Sequence, residues 1–117
     1  MTAVLDSTFP KVARLRKRPE FVLLASASRK TTVRGFLIVW RKNELQLARL
    51  GITASKKVGC AVVRNRIKRY LREFFRQNRF GIVAVDVNVI ARRESAEMTY
   101  SEVVRELNSA FRQIGTS

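Results

Sequence analysis

Histidine is absent from this chain, and cysteine occurs once, at position 60. Those two shortages exclude disulfide frameworks, Cys/His zinc sites and any histidine-based triad or acid–base scheme. Cys60 reads as a small residue near a helix start, with a thiol activated by nearby cations as the alternative. Acids are also scarce. Nine Asp and Glu face 24 Lys and Arg in 117 residues, a formal net charge of +15 with a pI near 11.5. Self-repulsion on that scale points to a polyanionic partner, with nucleic acid first and an anionic membrane second. No apolar run approaches the roughly 20 residues that span a bilayer. The start, MTAVLDSTFPK, lacks the charged and apolar regions of a signal peptide, so a cytoplasmic location is expected. Five scattered glycines make no phosphate-cradling loop. The carboxylates of Asp86, Glu97, Glu102 and Glu106 suit a strand and a helix cap better than a catalytic pair. We therefore expect no catalytic residue and no metal ligand in the protein itself.

What is present is a core and an uneven field. The 46% hydrophobic content is enough for one folded domain over residues 1–117, with residues 1–13 expected to be flexible. Residues 1–85 carry 20 cations against four acids, and residues 86–117 carry four against five. The polyanion should meet the first three-quarters of the chain. Lys56–Arg79 is the densest part, with nine cations and one acid, Glu73. Within it Val63, Ile67, Tyr70, Leu71 and Phe74 recur at spacings of three and four, forming a stripe about 100° wide on a helix. Arg64, Arg66, Lys68, Arg69, Arg72 and Arg76 fill the remaining circumference. A solvated helix face usually mixes lysine with glutamate; this one does not. Arginine outnumbers lysine 17 to 7, and its fork suits bidentate phosphate contact. If about six phosphates are neutralised, affinity should fall roughly 10³-fold between 50 and 200 mM salt.

The patterning predicts the order α-β-β-α-β-α: an α/β sandwich with a small sheet covered by helices. A short helix is expected near Pro19–Ser26, after the basic run Arg14–Arg18. Ser28–Thr32 reads as a loop, and Arg34–Trp40 and Leu45–Ser55 as strands that pair as a hairpin through a turn at Arg41–Glu44. The basic helix follows at about Ala61–Asn78, ended by Gly81, then a strand at Val83–Ala91. Thr99 and Glu102 fit a capping box. They open a final helix that aligns Val103, Leu107, Ala110, Phe111 and Ile114. Phe21, Phe36, Trp40 and Phe80 lie outside the basic helix. They read as core, or as a groove floor for single-stranded bases.

The segment KVGCAVVRNRIKRYLRE (Lys57–Glu73) resembles the RNR signature of the bacterial ribonuclease P protein family. RLRKRPEF (Arg14–Phe21), GITASKK (Gly51–Lys57) and VIARR (Val89–Arg93) resemble that family in the expected order. The resemblance implies an α/β sandwich whose βαβ crossover is left-handed, against the usual rule. It implies a protein subunit that joins a catalytic RNA, which itself removes the 5′ leader of precursor tRNA with RNA-held magnesium, one protein per RNA. It assigns Lys56, Lys57, Arg64, Asn65, Arg66, Lys68, Arg69 and Arg72 to the catalytic RNA. It assigns Phe21 and one face of the strand, Phe36, Ile38 and Trp40, to a leader-binding cleft. Two departures concern that cleft. Ala25 stands where the family often has a second aromatic, and Val39 where it often has tyrosine. A stand-alone structured-RNA binder and a helix-turn-helix DNA reader are the competing classes. The strands flanking the basic helix count against the latter.

Overall fold

The structure, a computed structural model, describes residues 29–43, 48–78 and 84–115. Four strands form one sheet: β1 (Arg29–Val33), β2 (Phe36–Lys42), β3 (Arg49–Thr53) and β4 (Val85–Ala91). Helix α1 is Ala61–Asn78, and α2 is Tyr100–Gly115, preceded by a 3₁₀ turn at Arg93–Glu97. The sheet order is β1-β2-β4-β3. β2 pairs antiparallel with β1 and β4, and β3 runs parallel to β4. The long basic helix joins that parallel pair, as a parallel connection requires. The mixed α/β class and the two long helices match the sequence reading. The expected helix near Pro19–Ser26 and the flexible start lie outside the described residues, as do Phe21, Phe80 and Gly81.

Three expectations about the strands need correction. Ser28–Thr32 is not a loop, because Arg29–Val33 is a strand. It is an edge strand, so its exposed Lys30 and Thr32 gave it a polar appearance, while Thr31, Thr32 and Val33 supply β-branched residues. The hairpin therefore joins β1 to β2, not β2 to β3, and β4 lies between β2 and β3. The turn is two residues, Arg34-Gly35, with Val33 opposite Phe36. Gly35 has φ +84°, and a Cβ there would lie 2.6 Å from Met98 Sδ. The conformation thus favours glycine, and any Cβ would in addition push Met98 aside. Arg41 and Lys42 continue the strand that was expected to end at Trp40.

Strand periodicity divides the sheet into two faces. Phe36, Ile38 and Trp40 of β2 share one face with Leu50, Val85, Val87 and Val89, and all are buried in the core. Ile67, Leu71, Phe74 and Phe75 of α1 and Val103, Leu107, Ala110 and Ile114 of α2 join the same core. Each of these Val, Leu, Ile and Phe side chains contributes about 1.5–3 kcal/mol on full burial. Phe74 and Phe111 tie the two helices together, their rings 5.9 Å apart, as do Tyr70 and Tyr100 at 5.4 Å.

Candidate nucleic-acid interface

α1 is held so that only one side is free. Ahead of it, Val58 is buried and its N–H donates to the Ser55 carbonyl (3.1 Å), leaving Lys56 and Lys57 exposed at the helix approach. The predicted stripe is the buried one, with Ile67, Leu71 and Phe74 fully enclosed and Val63 and Tyr70 partly so. Phe75 also enters the core. The outer face carries exposed Asn65, Arg69 and Arg72, with Arg64 and Lys68 half-buried beside them. Glu73, the one acid, accepts bonds from Arg76 and from Gln77 Nε2 (2.7 Å). The Arg76 bond holds its carboxyl below the usual range. This local pairing leaves the cations at Asn65–Arg72 without an acid on their own helix. Cys60 is exposed just before the first turn. The Val63 and Val62 backbone N–H groups lower its thiol pKa, the expected effect of a helix start.

Arg66 differs from its neighbours. Its Nη2 donates to the Ala96 carbonyl at 2.5 Å, across 30 residues. That bond fastens the 3₁₀ turn, already closed by Ser95 Oγ donating to the Arg92 carbonyl at 2.6 Å, against the basic helix. Exposed Arg92 and Arg93 are thereby brought beside the start of α1. They were not among the predicted site residues, although an arginine pair directly after a strand was a visible signal.

The predicted cleft residues are placed differently from expectation. Phe36 and Ile38 are 0% exposed and Trp40 is 3% exposed, on the helix-covered face. They are core residues. Apolar composition drew attention to them, but in an alternating strand it is the intervening residues that occupy the other side. There Val39 packs with Leu37 and Ile90. Farther along that face Asp86 is buried, with Arg41 and Arg49 directly opposite on the two neighbouring strands. Arg49 donates twice to it, Nε to Oδ1 and Nη2 to Oδ2, both 2.8 Å, and Asn43 Nδ2 donates to Oδ1 at 2.8 Å. Burial alone would raise the Asp86 pKa. The Arg49 and Asn43 bonds outweigh it, and the carboxyl ends below its ordinary value.

Among the described residues, no group of three or more His, Cys, Asp and Glu could hold a metal ion. No described helix is long and apolar enough to cross a membrane. What the surface offers is a rigid, one-sided array of guanidinium and ammonium groups on a small α/β sandwich: the features of a structured-RNA-binding protein. The comparisons make this specific. The Ribonuclease P family profile matches residues 9–115, and the chain belongs to that family, the protein component of the endoribonuclease that matures tRNA 5′ ends. It is 42% identical to the ribonuclease P protein component of Citrifermentans bemidjiense over 91% of both chains. It is 44% identical to that of Desulforapulum autotrophicum over 92% of both. Among solved structures, the Staphylococcus aureus RNase P protein superposes with a TM-score of 0.83 at 34% identity, covering 89% of this chain and 96% of that one. The Thermotoga maritima RNase P protein, in complex with 1-(4-fluorophenyl)-2-thiourea, gives 0.80 at 33%, covering 86% and 98%.

Proposed function

We propose that the outer face of α1 docks the catalytic RNA of ribonuclease P and that the opposite sheet face carries the 5′ leader of precursor tRNA. The observation that carries this reading is the one-sided cation array of Arg64, Lys68, Arg69 and Arg72, with the neutral amide of Asn65 among them, whose only helical acid is occupied by Arg76 and Gln77. Lys56 and Lys57 extend the array at the helix approach. Arg66 serves both as RNA contact and as the fastener of the 3₁₀ turn. The RNA performs the hydrolysis with magnesium that it holds itself, one protein joins one RNA, and the complex works in the cytoplasm. The leader path uses the Leu37–Val39–Arg41 side of β2 in place of Phe36, Ile38 and Trp40, with Phe21 as its expected aromatic partner. Reconstitution with a bacterial ribonuclease P RNA at low magnesium tests the whole reading. Stimulated cleavage of precursor tRNA is expected, and none would sink it. Phe21→Ala should weaken precursor tRNA more than mature tRNA; equal losses would remove Phe21 from the leader path.

A further inference from the structure

At the end of the sheet away from the start of α1 lies a cavity of about 250 Å³ whose described lining is Arg29, Trp40, Arg41 and Lys42. We propose that this cavity is a second RNA contact that holds one backbone phosphate. The inference rests on the RNA-binding reading above and adds a site that the basic helix does not contain.

The topology sets the two sites apart. Lys42 pairs opposite Val85 and Arg49 opposite Asp86, at one end of the sheet. β3 finishes at the other end with Thr53, where the connection to α1 begins. The seven residues of β2 separate the ends by about 20 Å. An RNA strand that touches both sites would therefore cross the length of the sheet.

The chemistry is that of an anion site. Three cations and no acid are found among the described lining residues. The nearby carboxylate, Asp86, has both oxygens engaged by Arg49. Arg41 Nε is buried and finds no hydrogen-bond partner among the described residues. A buried donor left unpaired is costly, and a turn of the Arg41 side chain toward a phosphate in the cavity would relieve that cost. The Arg29 guanidinium lies 5.8 Å from the Trp40 ring centroid, and Trp40 Nε1 donates to Thr31 Oγ1 at 3.4 Å. The indole is thus a fixed wall, too buried to stack on a base. The volume is below the roughly 300–1,000 Å³ of ordinary small-molecule pockets. The cationic lining selects the charged phosphate group over an uncharged nucleoside.

Trp40 is the one tryptophan of the chain, so its emission reports on the cavity. The full-length protein is titrated with inorganic phosphate, uridine 5′-monophosphate and uridine, with sodium chloride matching ionic strength. Both phosphates should change the emission saturably, while uridine and chloride should not. Arg41→Ala and the exposed Lys42→Ala should each weaken the response several-fold with unchanged far-ultraviolet circular dichroism. No response, a response equal to that of chloride, or one untouched by either substitution would overturn the proposal. The salt dependence of RNA affinity identifies the source of the phosphate. Lys42→Ala should lower the slope of log K against log salt by about 0.7–0.9, the share of one phosphate. A change confined to precursor tRNA in the assembled enzyme assigns the site to the leader, and one seen with the catalytic RNA alone assigns it there. No change in either slope would also overturn the site. Wild-type protein that fails to bind the catalytic RNA would instead refute the reading on which this site rests.

Discussion

α1 and α2 are built alike on the inside and oppositely on the outside. Each buries one stripe in the same core. The outer face of α1 offers Arg64, Lys68, Arg69 and Arg72. α2 mixes Glu102, Arg105, Glu106 and Arg112, and uses its acids internally. The Thr99 N–H donates to Glu102 Oε1 (2.9 Å) while the Glu102 N–H donates to Thr99 Oγ1 (3.2 Å), the predicted capping box. Glu102 and Glu106 also accept from Arg34 at the hairpin turn, at 3.3 and 3.1 Å. In the sheet, Asp86 does the same for Arg49 and Asn43. Carboxylates therefore mark the scaffold, and their lack marks the interface. The amphipathic moment of a helix shows that it packs; the outer residues show what it packs for.

Removing the shared inner feature should have the largest effect. Leu71→Ala in α1 and Leu107→Ala in α2, both about 1% exposed, should each cost about 2–5 kcal/mol of unfolding free energy in a denaturant titration. A much smaller loss at either site would break the claim that the two helices share one core. The scaffold role of the acids is tested next. Asp86→Asn should cost about 1.5–3 kcal/mol, the range for hydrogen bonds to charged groups. Because the folded carboxyl titrates below its ordinary value of 3.8, its contribution is complete above that pH and is lost as pH falls through the lower folded pKa. The difference between wild type and variant should accordingly shrink on acidification below about pH 4. A constant difference down to pH 2 would remove the ion pair from the stability of the sheet.

The outer faces are separated by a matched pair. Arg69→Ala should weaken binding of the catalytic RNA by about tenfold and reduce its salt slope by about 0.9. Arg105→Ala should leave both unchanged, and each variant should keep its stability within about 0.5 kcal/mol. Equal effects on RNA binding would abolish the contrast between the two helices. The smallest effect belongs to the cap. Thr99→Ala should cost about 1 kcal/mol, seen as faster amide exchange in the first turn of α2, with RNA affinity intact. A loss of RNA affinity at that position would extend the interface onto the scaffold helix.

Much of this was legible in the residues. The span of α1, its anchoring stripe and the Thr99–Glu102 box follow from local rules of spacing and capping, which act within a few residues of chain. The edge strand and its partner were not legible. Lys30 and Thr32 look like loop residues until a neighbouring strand supplies the other half of the ladder. The same limit explains the cleft residues. Alternation along β2 separates Phe36, Ile38 and Trp40 from Leu37, Val39 and Arg41, but which set meets the helices depends on where α1 and α2 lie.

The sequence by itself determined that this is a basic, histidine-free protein with a one-sided cationic helix and an RNR segment of the ribonuclease P family. Charge, composition and short-range periodicity are properties of the chain alone. Only the tertiary structure decided that β4 lies between β2 and β3, that Arg66 fastens the turn carrying Arg92 and Arg93, and that Arg29, Arg41 and Lys42 gather around Trp40. The first two depend on contacts between residues distant along the chain and the third on the register of the β1–β2 hairpin, and such pairing is chosen by packing the whole core at once.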